Sequence, residues 1–428
     1  NHTLSNRKGL HVHPDLEARL AALETPPPPP TPTPTPGQFP GYADKTHTVT
    51  PTMTAEQVQS LLAEAPSNAI VGFAAGTHQV DFWGSKEGQT FVGELDTNLS
   101  TQFPKGRPLT ILDGTGRQAG SGVKVLKNQK AIGFEVRNWP TNDQQDGIAA
   151  DAGTDGKCTL AYIYAHHNRY GGIGFAGDVE VGYFESSDNG AIGWRASTYG
   201  DHDVRTGGFV HHGLIQRNNA ALGFDPAWEA GGCKSLNHTN QVCEDLVYVQ
   251  NGGPGHWVDH GGTGNVARRI QAVENVGAGI MWEITDTGLI EDFDVLDQTA
   301  IANPMPGALY LSNAANVVVR QGKVEGKSAL ASLAVEDRLG RSPETMGNSI
   351  SDVEIIRLST NQWSFGAATW GFGGAIDADP ATMRATFDAN RYRVAANLQG
   401  AGWGWPNRST WTNWQAQGYD PNSTLAAI

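Results

Sequence analysis

Between residues 69 and 360 the chain alternates apolar and polar positions in short runs broken by Gly, Asn and Asp, and no long stretch carries the i, i+3, i+4 spacing of a helix. Six times an Asn is followed by a Gly- or Ala-rich turn and a short apolar strand. The Asn residues are Asn168, Asn189, Asn219, Asn251, Asn275 and Asn303. The strands read Gly-Ile-Gly-Phe (172–175), Ala-Ile-Gly-Trp (191–194), Ala-Leu-Gly-Phe (221–224), Gly-His-Trp-Val (255–258), Gly-Ile-Met-Trp (279–282) and Gly-Ala-Leu-Tyr (307–310). Their starts are 19, 30, 34, 24 and 28 residues apart. A loose period of that size without helices predicts a β-solenoid, in which each coil buries its apolar face against the next. The longer spacings mark loops inserted on particular coils. The recurring Asn is expected to form a side-chain ladder at one corner.

The flanks differ from this body. Thr54 and Gln57 form a capping-box pattern ahead of a short amphipathic helix ended by Pro66, and a strand, Ala69-Ile-Val-Gly-Phe, follows. Residues 1–45 stand apart. Leu16, Leu20 and Leu23 recur at helical spacing after Pro14 and a capping Asp15, and Pro26–Pro36 holds five consecutive prolines followed by Thr-Pro repeats. The first is too short for a lone helix and needs a partner, another protomer or another protein; the second is a stiff polyproline spacer. After residue 375 the pattern changes again. Pro380 to Arg391 reads as a short helix, and Trp403, Trp405, Trp411 and Trp414 cluster where a solenoid needs its open end covered. The expected organisation is therefore a docking helix and linker over 1–45, a parallel β-helix over 46–375 and a Trp-rich capping segment over 376–428.

Composition narrows the function. Gly supplies 53 of 428 residues, apolar residues 39 % and charged residues 17 %, a balance against coiled coils and wholesale disorder. The net charge of −14 argues against nucleic acid and anionic lipid as partners, and no apolar run reaches the ~20 residues of a membrane-spanning helix. The chain starts at Asn1 without a basic-then-apolar leader, which reads as a processed product or an excised fragment. Cys158 reads as a buried small hydrophobe. Cys233 and Cys243 bracket a polar loop, and either pair as a local staple or stay free thiols. A phosphate-cradling Gly loop and a Gly-x-Ser-x-Gly elbow are both missing from the sequence.

The chemistry comes from aligning the six strands. A period of two turns Ile173/Phe175, Ile192/Trp194, Leu222/Phe224, His256/Val258, Ile280/Trp282 and Ala308/Tyr310 inward. His256 then reads as a hydrogen-bonded core histidine. The next outward positions are Ala176, Arg195, Asp225, Asp259, Glu283 and Leu311. Three successive coils thus carry a carboxylate at one lateral position, with Arg195 on the coil before. At a coil rise of ~4.8 Å such carboxylates repel, and one or more, Glu283 first, is expected to hold its proton more tightly. A neutral acid beside an ionised carboxylate is what glycoside hydrolysis uses, ~5–5.5 Å apart when the configuration is retained. Trp257 offers a ring face for a sugar, and His260, His202 and His211–His212 are further candidate contacts. Arg195 either balances the acids or grips a carboxylated sugar. The bland alternatives are a solvated acidic face or a Ca²⁺ site made of stacked oxygen ligands; no other cofactor is implied.

The helix-then-strand opening, Ala74-Ala-Gly-Thr-His and the repeated Asn-x-x-x-Gly-Ile pattern resemble right-handed parallel β-helix proteins of the pectin-lyase type. The closing Trp414-Gln-Ala-Gln-Gly-Tyr-Asp420-Pro-Asn-Ser423 resembles the end of many secreted β-helix carbohydrate enzymes. Gly-His-Trp-Val-Asp259-His followed by Ile-Met-Trp-Glu283-Ile is similar to the Trp-x-Asp and Glu pair of β-helix β-xylosidases; that resemblance implies Asp259 as nucleophile and Glu283 as acid/base. Leu222-Gly-Phe-Asp225-Pro is similar to the Tyr-Gly-Phe-Asp-Pro-His element of mannuronan epimerases, but Leu222 replaces the Tyr and Ala227 the His, so epimerase or lyase chemistry lacks two partners. The Leu-Glu-Ala-Arg-Leu-Ala-Ala-Leu-Glu and polyproline lead-in resembles that of minor tail proteins of phages infecting actinobacteria. Together these imply a tail-associated, extracellular β-helix protein that binds or degrades a cell-envelope polysaccharide and docks to another tail chain through residues 1–45. The alternatives are a non-catalytic tail adhesin and a free secreted glycosidase or polysaccharide lyase.

Overall fold

The computed structural model describes residues 42–96, 107–118, 120–140, 145–197, 204–260, 262–299, 307–325, 331–338, 345–357, 363–371, 374–376, 386–394, 403–405, 410–416 and 420–427. The docking helix and polyproline spacer expected before residue 42, together with His202 and Asn303, lie outside the described residues.

The chain winds as a right-handed parallel β-helix. One ladder of parallel strands runs through Val123–Leu126, Asp146–Asp151, Gly171–Ala176, Ile192–Ala196, Gly231–Leu236, His256–Asp259 and the starts of Ile280–Leu296 and Gly307–Glu325. A second runs through Lys130–Arg137, Cys158–His166, Val179–Ser187, Phe209–Gln216, Val242–Val249, Thr263–Val273 and the ends of the same two long strands. Strands of the second ladder bend at one left-handed residue each. In Lys130–Arg137 it is Gly133, with φ 79°; in the later strands it is Tyr162, Tyr183, His212, Asp245, Arg269, Asp292 or Gln321, with φ between 50° and 56°. The bend divides each coil into three short flat segments around one core. A non-Gly residue in this conformation costs about 1 kcal/mol or more. Stacking along the corner offsets the cost: the Tyr183 ring stacks on Tyr162 and on His212, and Arg269 is paired with Asp245 at 2.7 Å.

The core is a continuous apolar column that includes Phe134, Ile173, Trp194, Cys233, Val258, Ile280, Trp282 and Leu311. At the N-terminal end, the helix Ala55–Glu64 starts at the expected capping box and turns Val58 and Leu62 into that column. At the other end, Arg391–Val394 and Thr424–Ala427 continue the second ladder, and the helix Trp411–Ala416 buries Trp414. The short helix expected over 380–391 is not formed at its end, where Thr386–Asp388 is strand. Asp420 is fully buried and accepts from Asn390, Ser423, Tyr392 and Trp414, which fixes the closing segment quoted above.

The expected asparagine ladder exists, with a different membership. Each amide donates to the next: Asn168 to Asn189 at 3.0 Å, Asn189 to Asn218 at 2.9 Å, Asn218 to Asn251 at 2.9 Å and Asn251 to Asn275 at 2.8 Å. Asn275 passes its backbone N–H to Gln298 at 3.1 Å. Asn218, not Asn219, is the rung on the third coil. The residue before each rung is left-handed (His167, Asp188, Arg217, Gln250, Glu274, Asp297), and on the third coil Arg217 occupies that place.

Strand alignment also departs from expectation at three coils. Residues 221–224 form no strand; the third-coil strand is Gly231–Leu236, and Leu222 is exposed. The first two strands are offset by two residues, with Ile173 opposite Trp194 and Gly174 opposite Arg195. The last is offset by one, so Leu309 and Leu311 face inward beside Ile280 and Trp282 while Tyr310 turns outward. Cys158, Cys233 and Cys243 are all free and buried, so the staple is not formed.

Candidate active site

Asp259 and Glu283 are ladder partners on adjacent coils, as are Trp257 and Met281 two residues earlier. Period-two alternation therefore points both carboxylates out of the same face, one rung apart. Asp259 is 8 % exposed and Glu283 7 % exposed, so they line a recess rather than a solvated surface.

Two other expected members of this column are elsewhere. Asp225 is exposed on the 219–230 loop, where its Oδ1 accepts the Ala227 N–H at 2.9 Å and closes a turn. Pro226 lacks the N–H that a continued strand requires. The ladder partner of Asp259 on that coil is Leu236. Arg195 pairs in register with Lys234, two residues short of the carboxylate position, and its guanidinium binds Asp146 at 2.8 Å. Asp146 is fully buried over Gly171 and Gly174, whose missing side chains leave it room. Burial raises its pKa, with Arg195 opposing. Among the described residues no group of three or more His, Cys, Asp or Glu side chains is arranged to hold a metal ion, so the three-carboxylate Ca²⁺ arrangement is not formed there.

Two residues that the strand alignment passed over complete the recess. Lys234 replaces Asp225 as the third-coil contribution. Its ammonium lies 2.9 Å from Asp259 Oδ2, donates to the Trp228 carbonyl at 2.6 Å and sits 3.8 Å from the centre of the Trp257 ring. Its three donor directions are thereby committed. Trp257, expected to offer an open ring face, is 1 % exposed; it packs with Ala278, Met281, Tyr310 and Ala334 beneath Ala227. The open ring is Trp228, 67 % exposed on the loop above. A Trp two residues after Asp-Pro was visible in the sequence, but the aligned strands drew attention to Trp257 instead.

His260 is exposed in a left-handed turn just after Asp259, and its backbone N–H donates to Glu283 O at 3.1 Å. His211 and His212 belong to the second ladder and do not share this face. His256 points into the core as expected. Its Nδ1 is 3.0 Å from the Tyr248 hydroxyl, and burial lowers its pKa to about 3.

No protein-family model matches the sequence, and no curated protein matches it. Solved structures do. A mannuronic acid specific polysaccharide family 6 lyase from human gut microbiota aligns with a TM-score of 0.52 and 11 % identity, over 90 % of this chain and 83 % of the lyase. The GH136 lacto-N-biosidase from Eubacterium ramulus gives a TM-score of 0.48 and 12 % identity, over 89 % and 68 %. The enzymatically active domain of tailspike protein 2 from bacteriophage CBA120 gives 0.46 and 12 %, over 76 % of this chain; the chain spans about half (52 %) of that domain. At these identities the likeness is one of architecture: this chain has the right-handed parallel β-helix fold.

Proposed function

We propose that the chain is a glycan-degrading β-helix protein of a phage tail, a retaining glycoside hydrolase acting on a cell-envelope polysaccharide. One observation carries the reading: Asp259 and Glu283 stand in register on adjacent coils, in a recess beneath an exposed Trp. A coil rise of ~4.8 Å is close to the carboxylate separation of ~5–5.5 Å that retention uses. Asp259 attacks the anomeric carbon while Glu283 protonates the leaving oxygen. Glu283 then takes a proton from the water that releases the sugar. The Lys234 ammonium, 2.9 Å from Asp259 Oδ2, orients the carboxylate for attack.

A lyase would need a base poised over the uronate, and the ammonium of Lys234 is already committed to Asp259, to the Trp228 carbonyl and to the Trp257 ring. The fold likeness to a polysaccharide lyase supports a polysaccharide ligand without choosing the reaction. Residues 1–45 as docking and linker segment, 46–375 as the β-helix and 376–428 as its closing segment belong to the same proposal.

The test is release of sugars from cell-envelope polysaccharides by the parent protein, Asp259→Asn and Glu283→Gln. Reducing ends should appear with the parent alone. Unsaturated, ultraviolet-absorbing ends would identify a lyase, and equal activity in all three would sink the assignment. Glycan binding without any cleavage would leave the tail-adhesin reading.

A further inference from the structure

The 219–230 loop is pinned at many points yet leaves one large apolar ring in solvent. Asn219 donates to the carbonyls of Phe224 and Gly252 at 2.9 and 2.7 Å and accepts the Phe224 N–H at 3.0 Å. Phe224 meets the Tyr170 ring edge-on at 5.2 Å. Ala227 packs into the Trp257 cluster, and Glu229 bonds the Tyr170 hydroxyl, which burial and that bond push well above the usual tyrosine range. Trp228 lies between these anchors, and its own carbonyl is held by Lys234. Its backbone is therefore positioned, while its indole is the most exposed of the large hydrophobic side chains among the described residues. Burying a ring of this size is worth roughly 2–3 kcal/mol, which a ligand stacked on it would recover.

The surroundings name a ligand. The Lys234 ammonium that touches Asp259 lies 5.7 Å from the centre of the Trp228 ring, so the ring and the carboxylate are within the reach of a disaccharide. On the same outer face, the Trp257 Nε1 donor and the Asp259 Oδ1 acceptor are both buried without a hydrogen-bond partner. Among the described residues of the face, the cations Arg195 and Lys234 are paired with Asp146 and Asp259, while Asp225 and Glu229 add further negative charge.

We infer that Trp228 is the stacking platform of a binding subsite beside Asp259, and that the subsite takes an uncharged, hydroxyl-rich glycan rather than a uronate. This rests on reading the Asp259 and Glu283 face as a glycan site. The faces of a sugar ring are C–H rich and match the indole, and the excess of carboxylates repels an acidic polymer.

The experiment is affinity electrophoresis of the parent protein, Trp228→Ala, Trp228→Phe and Asp259→Asn. The native gels carry one neutral polysaccharide each (arabinoxylan, galactomannan, β-glucan, arabinogalactan) or one acidic polysaccharide each (alginate, polygalacturonate). Circular dichroism verifies the fold of each variant. The parent should be retarded in at least one neutral gel and in neither acidic gel. Trp228→Ala should weaken that retardation at least tenfold, and Trp228→Phe should restore most of it. Retardation in acidic gels, absence of retardation in every neutral gel, or equal retardation of Trp228→Ala and the parent overturns the inference. Cleavage assays on the same proteins separate the two ideas. Trp228-dependent binding without Asp259-dependent cleavage removes the hydrolase and leaves the platform; cleavage without Trp228-dependent binding does the reverse.

Discussion

The asparagine corner and the recess around Asp259 treat buried polar groups in opposite ways. At the corner, Asn189, Asn218, Asn251 and Asn275 are at most 2 % exposed; the first three amides donate and accept along the stack, and that of Asn275 accepts from Asn251 and donates to the Tyr248 carbonyl. In the recess, Asp259 Oδ1 and Trp257 Nε1 are buried without hydrogen-bond partners. Leaving such a group unpaired costs about 1–3 kcal/mol, more for a charged one. The corner is a device for holding coils together. The recess keeps that cost in the folded chain, as a surface does when a ligand completes it.

Breaking the recess at its carboxylates should have the largest effect. If Asp259 and Glu283 act as proposed, Asp259→Asn and Glu283→Gln each lower glycan cleavage by three orders of magnitude or more, over ~4 kcal/mol of barrier. Asp259→Asn also breaks the buried pair with Lys234, so its melting temperature should fall, and circular dichroism before the assay separates lost chemistry from lost fold.

Removing the cation from a buried pair should come next. Arg195→Met leaves the Asp146 carboxyl uncompensated and is expected to cost about 3–5 kcal/mol in urea unfolding at neutral pH. Adding Asp146→Asn should recover much of the loss. The sign with pH is definite. A carboxyl whose folded pKa is raised destabilises more as pH climbs through its range. The Arg195→Met deficit should therefore shrink on acidification; a deficit that grows instead would reject buried charge as its cause.

Breaking the corner should cost less, and selectively. Asn251→Ala strips the partner from the Asn218 amide and the Ile215 carbonyl, for about 2–3 kcal/mol in the same assay. Asn219→Ala, one residue off the ladder, should loosen the Trp228 loop and weaken glycan retardation with less change in global stability. Equal global losses would mean that the ladder has no special weight.

Core histidines should show as acid lability. Burial lowers His256 from its usual 6.5 to about 3, so the unfolded chain binds a proton that the folded one refuses between those values. Its stabilising contribution is complete above pH ~6.5 and is lost as pH falls toward 3. His256→Gln should flatten that slope, and an unchanged slope would locate the lability elsewhere.

The smallest signal is a negative one. Burial pushes the Cys158 and Cys233 thiols up to about 12 and raises Cys243 well above the usual thiol range. A disulfide-exchange reagent at pH 8 should leave the native protein untouched and count three thiols after unfolding. A count of one would restore the Cys233–Cys243 staple.

The sequence by itself determined the coil, the corner and the carboxylate pair. Repeated Asn, short β-rich runs and Gly-filled turns leave a chain no face to bury except against its own next coil. Where a strand was correctly located, as at His256–Asp259 and its partner, period-two alternation was enough to put Asp259 and Glu283 side by side. Tertiary structure decided the rest. Which of two adjacent asparagines joins the ladder depends on the left-handed residue before it, so Asn218 entered and Asn219 anchored a loop. Which segment forms the third coil depends on cross-coil pairing with Trp194, which Cys233 satisfies, and that put Lys234 in the recess and left Asp225 in a turn. Which Trp meets solvent depends on where the loop lies, and Ala227 covers Trp257 while Trp228 stays bare. Alternation is a property of neighbouring residues. Register and coverage arise from hydrogen bonds and contacts between residues some 24 to 50 positions apart, and no local pattern encodes them.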